Sequence, residues 1–107
     1  MSVDVKDGEG DQSLLLVAGS KGSKEDDKAY VKKLSNAVLQ VFEKHEIVRL
    51  RCVGAASLNN GIKALIIAKV SAIESGDNLV CSPSFTTVKF GNDEKTAIVL
   101  EIISIDA

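Results

Sequence analysis

Residues 54–85 open with Gly54-Ala55-Ala56-Ser57-Leu58-Asn59-Asn60-Gly61-Ile62-Lys63-Ala64 and continue as an apolar helical pattern through Ile73. They close with Ser75-Gly76-Asp77-Asn78-Leu79-Val80-Cys81-Ser82-Pro83-Ser84-Phe85. That order spells the end of one strand, a tight turn into a helix, and a helix that exits through Ser75-Gly76 into a new strand. Gly54 gives the turn backbone conformations closed to other residues. Ser57 is predicted to cap the helix by accepting from the amide of Asn60. Two readings of the turn follow. Either it is an ordinary capped helix start, or part of the first turn stays open, and free amides at the positive end of the dipole can hold an anion. The helix is predicted over Leu58 to Ile73, with Leu58, Ile62, Leu65, Ile66, Val70 and Ile73 as its apolar stripe. Gly61 and Ala64 allow close approach to a neighbour, and Asn59, Asn60, Lys63 and Lys69 are its polar residues.

Upstream, Val48, Leu50 and Cys52 alternate with Arg49 and Arg51, the period of a strand with one face in the core. The two arginines point away from that core. They belong either to a solvated face, paired with Glu101 across the sheet, or to a basic binding surface; the first is preferred, because surface pairs are common. Before this strand, Tyr30, Val31, Leu34, Ala37, Val38, Val41 and Phe42 recur at helical steps and predict a helix ending near Lys44. Glu25, Asp26 and Asp27 suit its start. Gly19 to Asp27 is a loop by composition, with Lys21 and Lys24 near its tip. Leu14 to Val17 is a short apolar strand, and Met1 to Gln12 is an acidic leader predicted to be disordered.

Downstream, Leu79, Cys81, Pro83 and Phe85 share one parity while Val88 and Phe90 share the other, which predicts a bulge between Pro83 and Val88. Pro83 lacks an N–H and belongs on an edge strand. Gly91-Asn92-Asp93-Glu94 is a hairpin turn. The last strand, Thr96 to Ile105, is apolar on both parities and is predicted to lie centrally.

The 107 residues fit one domain, residues 13–107 behind the leader, and a net charge of −2 argues against a general DNA-coating protein. Aromatic residues are only 4%, with no Trp, which weakens any scheme of bases stacked on exposed rings. Cys52 and Cys81 sit in apolar runs with no metal spacing, and His45 is the only histidine, so no metal or cofactor is expected. Buried free thiols, no membrane-length apolar run and no signal-like N-terminus point to a cytoplasmic, reducing setting without a membrane partner.

The element order is β-α-β-α-β-β. It predicts an α/β two-layer sandwich: a mixed four-stranded sheet with both helices on one face. Parallel pairing of the first two strands brings both strand-to-helix corners to one edge, the edge at which open α/β sheets bind ligands. Lys21, Lys24, Ser57, Asn59, Asn60 and Lys63 are therefore the candidate anion-binding residues. The open face is too apolar for water, and a second copy is expected to cover it or a helix flank, giving a homodimer or higher oligomer.

The run Val53-Gly54-Ala55-Ala56-Ser57-Leu58-Asn59-Asn60 is joined by Lys63-Ala64, Ser75-Gly76, Leu79-Val80-Cys81, Pro83, Phe85 and Glu94-Lys95-Thr96-Ala97-Ile98. Together they resemble the stage V sporulation protein S family, without gaps from about Asn36 to Ser104. That family is similar to the Alba proteins, which bind DNA or RNA as dimers. The resemblance implies an Alba-like fold with strand order 1-2-4-3 and adds the hairpin lysines Lys89 and Lys95 to the candidate nucleic-acid contacts. Alba proteins carry arginines in the turn before the second helix, where this chain has Gly54, Ala55 and Ala56. With no nucleophile–base pair, metal spacing or cofactor loop, an enzyme is not expected. The preferred reading is a nucleic-acid-binding regulator gripping phosphate backbone of RNA or DNA. The alternative is an oligomeric protein-interaction module that binds no nucleic acid.

Overall fold

The computed structural model describes residues 6–8 and 10–106. Its elements are β1 (Lys6–Gly8), β2 (Asp11–Val17), α1 (Lys24–Phe42), β3 (Ile47–Cys52), α2 (Ala55–Ile73), β4 (Asp77–Phe90) and β5 (Asp93–Asp106). From β2 onward this is the β-α-β-α-β-β order. The sheet runs β1-β2-β3-β5-β4, so β5 is central, and β4, which carries Pro83, is an edge strand. Strands β2 and β3 pair in parallel, from Leu14 opposite Arg49 to Val17 opposite Cys52. All other pairings are antiparallel.

The short β1 adds a strand to the expected four. Of the leader predicted to be disordered, residues 6–8 pair with β2, Asp11 and Gln12 open β2 itself, and residues 1–5 and 9 lie outside the described residues. The contact is close: a Cβ on Gly8 would fall 2.5 Å from Leu14 Cδ2. Asp11 also anchors Arg49, whose Nη2 donates to Asp11 Oδ2 at 2.8 Å. Arg49 stands opposite Glu101 in register, yet its ion pair is with Asp11, not the expected Glu101. Two hydrogen bonds from Ser13, helped by Arg49, hold the Asp11 carboxyl below its usual range.

Helix α1 forms as its sequence dictates. Ser23 is the N-cap, its Oγ accepting from the Asp26 amide at 3.1 Å, and Glu25, Asp26 and Asp27 occupy the positive first turn. Its buried face is Tyr30, Val31, Leu34, Ser35 and Val38, and Ala37, Val41 and Phe42 of the predicted stripe are half-buried against the core.

Helix α2 turns most of its predicted stripe outward: Leu58 and Leu65 are half-buried against the core, but the other four residues are not. The residues facing the sheet are the small ones, Ser57, Asn60, Gly61, Ala64, Ala68 and Ala72. Ile62, Ile66, Val70 and Ile73 are exposed, Val70 by 65%. The cause is the spacing between helix and sheet. A Cβ on Gly61 would stand 3.0 Å from Cys52 Sγ and 3.4 Å from Leu100 Cδ1, so no large side chain fits beneath the helix. The core thus joins the large residues of α1 and the alanines of α2 to Leu15, Val17, Val48, Leu50, Cys52, Leu79, Leu100 and Ile102 of the sheet. Both cysteines are free thiols; Cys52 is buried, and burial pushes it up to about 12, while Cys81 is only half-buried.

The predicted bulge is absent. The β4–β5 register runs unbroken from Asp77 opposite Asp106 to Phe90 opposite Asp93. β3 covers β5 only from Ile98 to Ile103, so the hairpin projects past its neighbour and its end has no core to face. Apolar residues of either parity therefore sit there without a register shift, and Phe90, at the tip, is 49% exposed. The hairpin closes through a two-residue turn at Gly91-Asn92, with Gly91 at φ 63°.

Candidate nucleic-acid interface

Parallel pairing places the ends of β2 and β3 side by side, so the chain leaves both strands at one rim. Two buried side chains then fix the β2–α1 loop. The Tyr30 hydroxyl accepts from the Ala18 amide at 2.8 Å and donates to the Leu16 carbonyl at 3.5 Å. From α2, Asn60 Nδ2 donates to the carbonyls of Ala18 at 3.1 Å and Gly19 at 3.0 Å. Gly19 packs against the start of α2: a Cβ there would lie 3.6 Å from Ala56 Cβ and 3.9 Å from the Ser57 nitrogen. Tyr30→Phe is expected to cost about 1–2 kcal/mol in urea unfolding, because it strands the half-buried Ala18 amide. A loss below about 0.5 kcal/mol would mean that the hydroxyl is not what holds the loop.

The start of α2 is open at its tip. Gly54 is the N-cap, at φ 89°, a region that favours glycine, and no side chain caps the first turn. Ser57 does not accept from the Asn60 amide as predicted. Its hydroxyl turns back and donates to the carbonyls of Val53 at 2.8 Å and Gly54 at 3.1 Å. The helix begins at Ala55, which makes Ser57 a residue of the first turn and not its cap. Gly54, Ala55 and Ala56 are exposed, so the positive end of the dipole faces solvent.

The candidate residues divide by position. Lys24, Asn59, Asn60 and Lys63 line one groove between the two helices. Lys21 stands beside them, its amide donating to Asp27 Oδ1 at 2.6 Å and its ammonium 5.5 Å from the centre of the Tyr30 ring. Ser57 is 2% and Asn60 5% exposed, and both spend their donors on backbone carbonyls, so they build the rim without presenting those donors to a ligand. Lys89 lies on the far side of the rim, in a concavity of about 640 Å³ shared with Leu16, Val17, Arg51, Val53 and Phe90. Lys95 is opposite Val88 on the hairpin, its ammonium 5.3 Å from the centre of the Phe90 ring.

Three further cationic residues line these two concavities, and none of them is among the preferred sequence candidates. Arg51, one of the two arginines for which a basic binding surface is the less favoured alternative, lines the concavity that holds Lys89. Lys28 and Lys32 line the groove with Lys24. Their spacing of four residues was a legible signal, since such residues share one helix face.

Among the described residues, no group of three or more His, Cys, Asp or Glu side chains is arranged to hold a metal, and no helix is long and apolar enough to cross a membrane. The family model for Stage V sporulation protein S (SpoVS) matches residues 25–105. The match takes in α1 from Glu25 onward, β3, α2 and the β4–β5 hairpin turn, and leaves Lys21 and Lys24 just ahead of it. With the matched segment covering most of the chain, this protein belongs to the stage V sporulation protein S family, a family of small, sporulation-related regulatory proteins.

Proposed function

We propose that this protein is a non-enzymatic regulator that binds the phosphate backbone of RNA or DNA at the rim formed by the β2–α1 loop and the start of α2. The observation that carries this reading is the double hydrogen bond from Asn60. It holds Ala18 and Gly19, the start of the lysine-bearing loop, against an uncapped helix start, which supports an exposed edge shared by ammonium groups and a positive helix end. Lysines and backbone amides recognise charge and not base identity, so such a rim positions a backbone without reading its sequence. Fluorescence anisotropy at low salt, with labelled single-stranded RNA and duplex DNA, tests it. At least one probe is expected to bind, with an affinity that falls steeply as salt rises. Failure of both probes to bind would leave a protein-interaction module as the better reading.

Self-association completes the reading. Ile47 and Ile103 are register partners on the helix-free face, where Ile103 and Ile105 stay partly exposed on alternate positions of the central strand. A second copy covering this face accounts for its apolar character and leaves the helix layer open. In sedimentation equilibrium the protein is expected to dimerise and Ile103→Lys to remain monomeric. A monomeric wild type at about 100 μM, a concentration well above a stable dimer's Kd, would remove this part.

A further inference from the structure

The groove between α1 and α2, about 700 Å³, extends beyond the rim. Lys24, Lys28 and Lys32 line its α1 wall at successive four-residue steps, so their Cα atoms rise by about 6 Å from one to the next. Lys63 stands on the α2 wall with Ile66 and Ile67, which are 55% and 43% exposed. Against these four lysines the groove holds one acid, Asp27.

A ligand matching this surface needs carboxylates and aliphatic groups at short, regular spacing. A nucleic acid supplies the charge, but no aromatic ring lines the groove to receive its bases, and isoleucines gain little from a sugar–phosphate chain. An anionic membrane favours a convex apolar ridge flanked by cations, whereas these residues line a concavity between two helices. An amphipathic helix meets both demands: apolar side chains at three- and four-residue steps rest on the isoleucines, while acidic flanks reach the lysine row. We propose that the α1–α2 groove docks an acidic amphipathic helix of a partner protein.

The probe is a designed peptide of about 16 residues, long enough to populate a helix, with leucines at helical spacing and glutamates on both flanks. A control peptide carries lysines in place of the glutamates. The acidic peptide is expected to bind saturably, and the control not to bind. Lys28→Glu with Lys32→Glu is expected to weaken binding at least tenfold, and so is Ile67→Glu; all three positions are exposed, and urea unfolding checks that each variant remains folded. The double lysine variant leaves the rim lysines in place, so oligonucleotide affinity should fall less than peptide affinity. This separates failure of the groove from failure of the rim. The proposal is overturned by no saturation up to about 1 mM peptide, a Kd worth only about 4 kcal/mol. Equal binding of the two peptides also overturns it. So does a double variant that loses oligonucleotide or phosphatidylserine-vesicle binding while keeping the peptide, or an Ile67→Glu variant that instead dissociates the protein's own dimer.

Discussion

Gly61→Val is expected to destabilise the fold by about 3 kcal/mol or more, a large share of the 5–15 kcal/mol typical of a whole domain. The added Cβ would lie 3.0 Å from Cys52 Sγ, 3.4 Å from Leu100 Cδ1 and 3.9 Å from Leu50 Cδ1. Valine sends two further methyl groups toward the same side chains, all of them buried. Gly61→Ala makes an informative partner. It brings the Cβ contacts without valine's two further methyl groups and gains up to about 1 kcal/mol of helix propensity, so its net effect should be much smaller than that of Gly61→Val. Ile66→Ala and Val70→Ala, on the outer face, should each fall within about 0.5 kcal/mol of wild type. The stripe read from sequence makes a different claim for the outer residues: Ile66→Ala would then cost about 2–5 kcal/mol. Urea denaturation of the four variants decides between the two orientations.

The second large effect concerns binding. Lys21→Ala, Lys24→Ala and Lys63→Ala in one chain are expected to reduce oligonucleotide affinity roughly a hundredfold at low salt, at about 1 kcal/mol for each lost contact. The slope of log K against log salt should flatten by about 2–3, since each neutralised phosphate contributes close to one counterion. Lys44→Ala serves as the control. Lys44 follows the C-terminal end of α1, away from the rim, and changes net charge without touching the site. An equal loss from Lys44→Ala would show that the oligonucleotide responds to overall charge and not to the rim.

The parts of the fold legible in the sequence were those where one signal acted alone. In α1, three acids at the start and a single apolar stripe agree, and that stripe supplies Tyr30, Val31, Leu34 and Val38 of the buried face. Pro83 announced an edge strand because it lacks a donor, and the doubly apolar last strand announced a central one. Convergence of the two corners followed from parallel pairing of β2 and β3.

Where two signals competed, the sequence misled. Helix α2 carries two periodic stripes, one of large aliphatic residues and one of Ser, Asn, Gly and Ala. Hydrophobicity favours burying the first, but the narrow gap above Cys52 and Leu100 admits only the second. Ser57 has both a donor and an acceptor. With the helix starting at Ala55, its donor finds the carbonyls of Val53 and Gly54 before its acceptor finds an amide. The parity change in β4 imitated a bulge because the hairpin outruns the sheet and its end answers to no core. At the candidate site, the lysines and the latch residue Asn60 were visible, but their division of labour was not. It depends on burial: Asn60 faces inward to two carbonyls while Lys24 and Lys63 stay exposed.

The most direct test of the rim is an amide NMR titration of the labelled protein with the oligonucleotide that binds best by anisotropy. Shifts concentrated at residues 19–24 and 55–63, and removed by salt, are the expected result. An unperturbed rim, with shifts confined to the far ends of the helices around Glu43 to Glu46 and Glu74 to Asp77, would contradict the account.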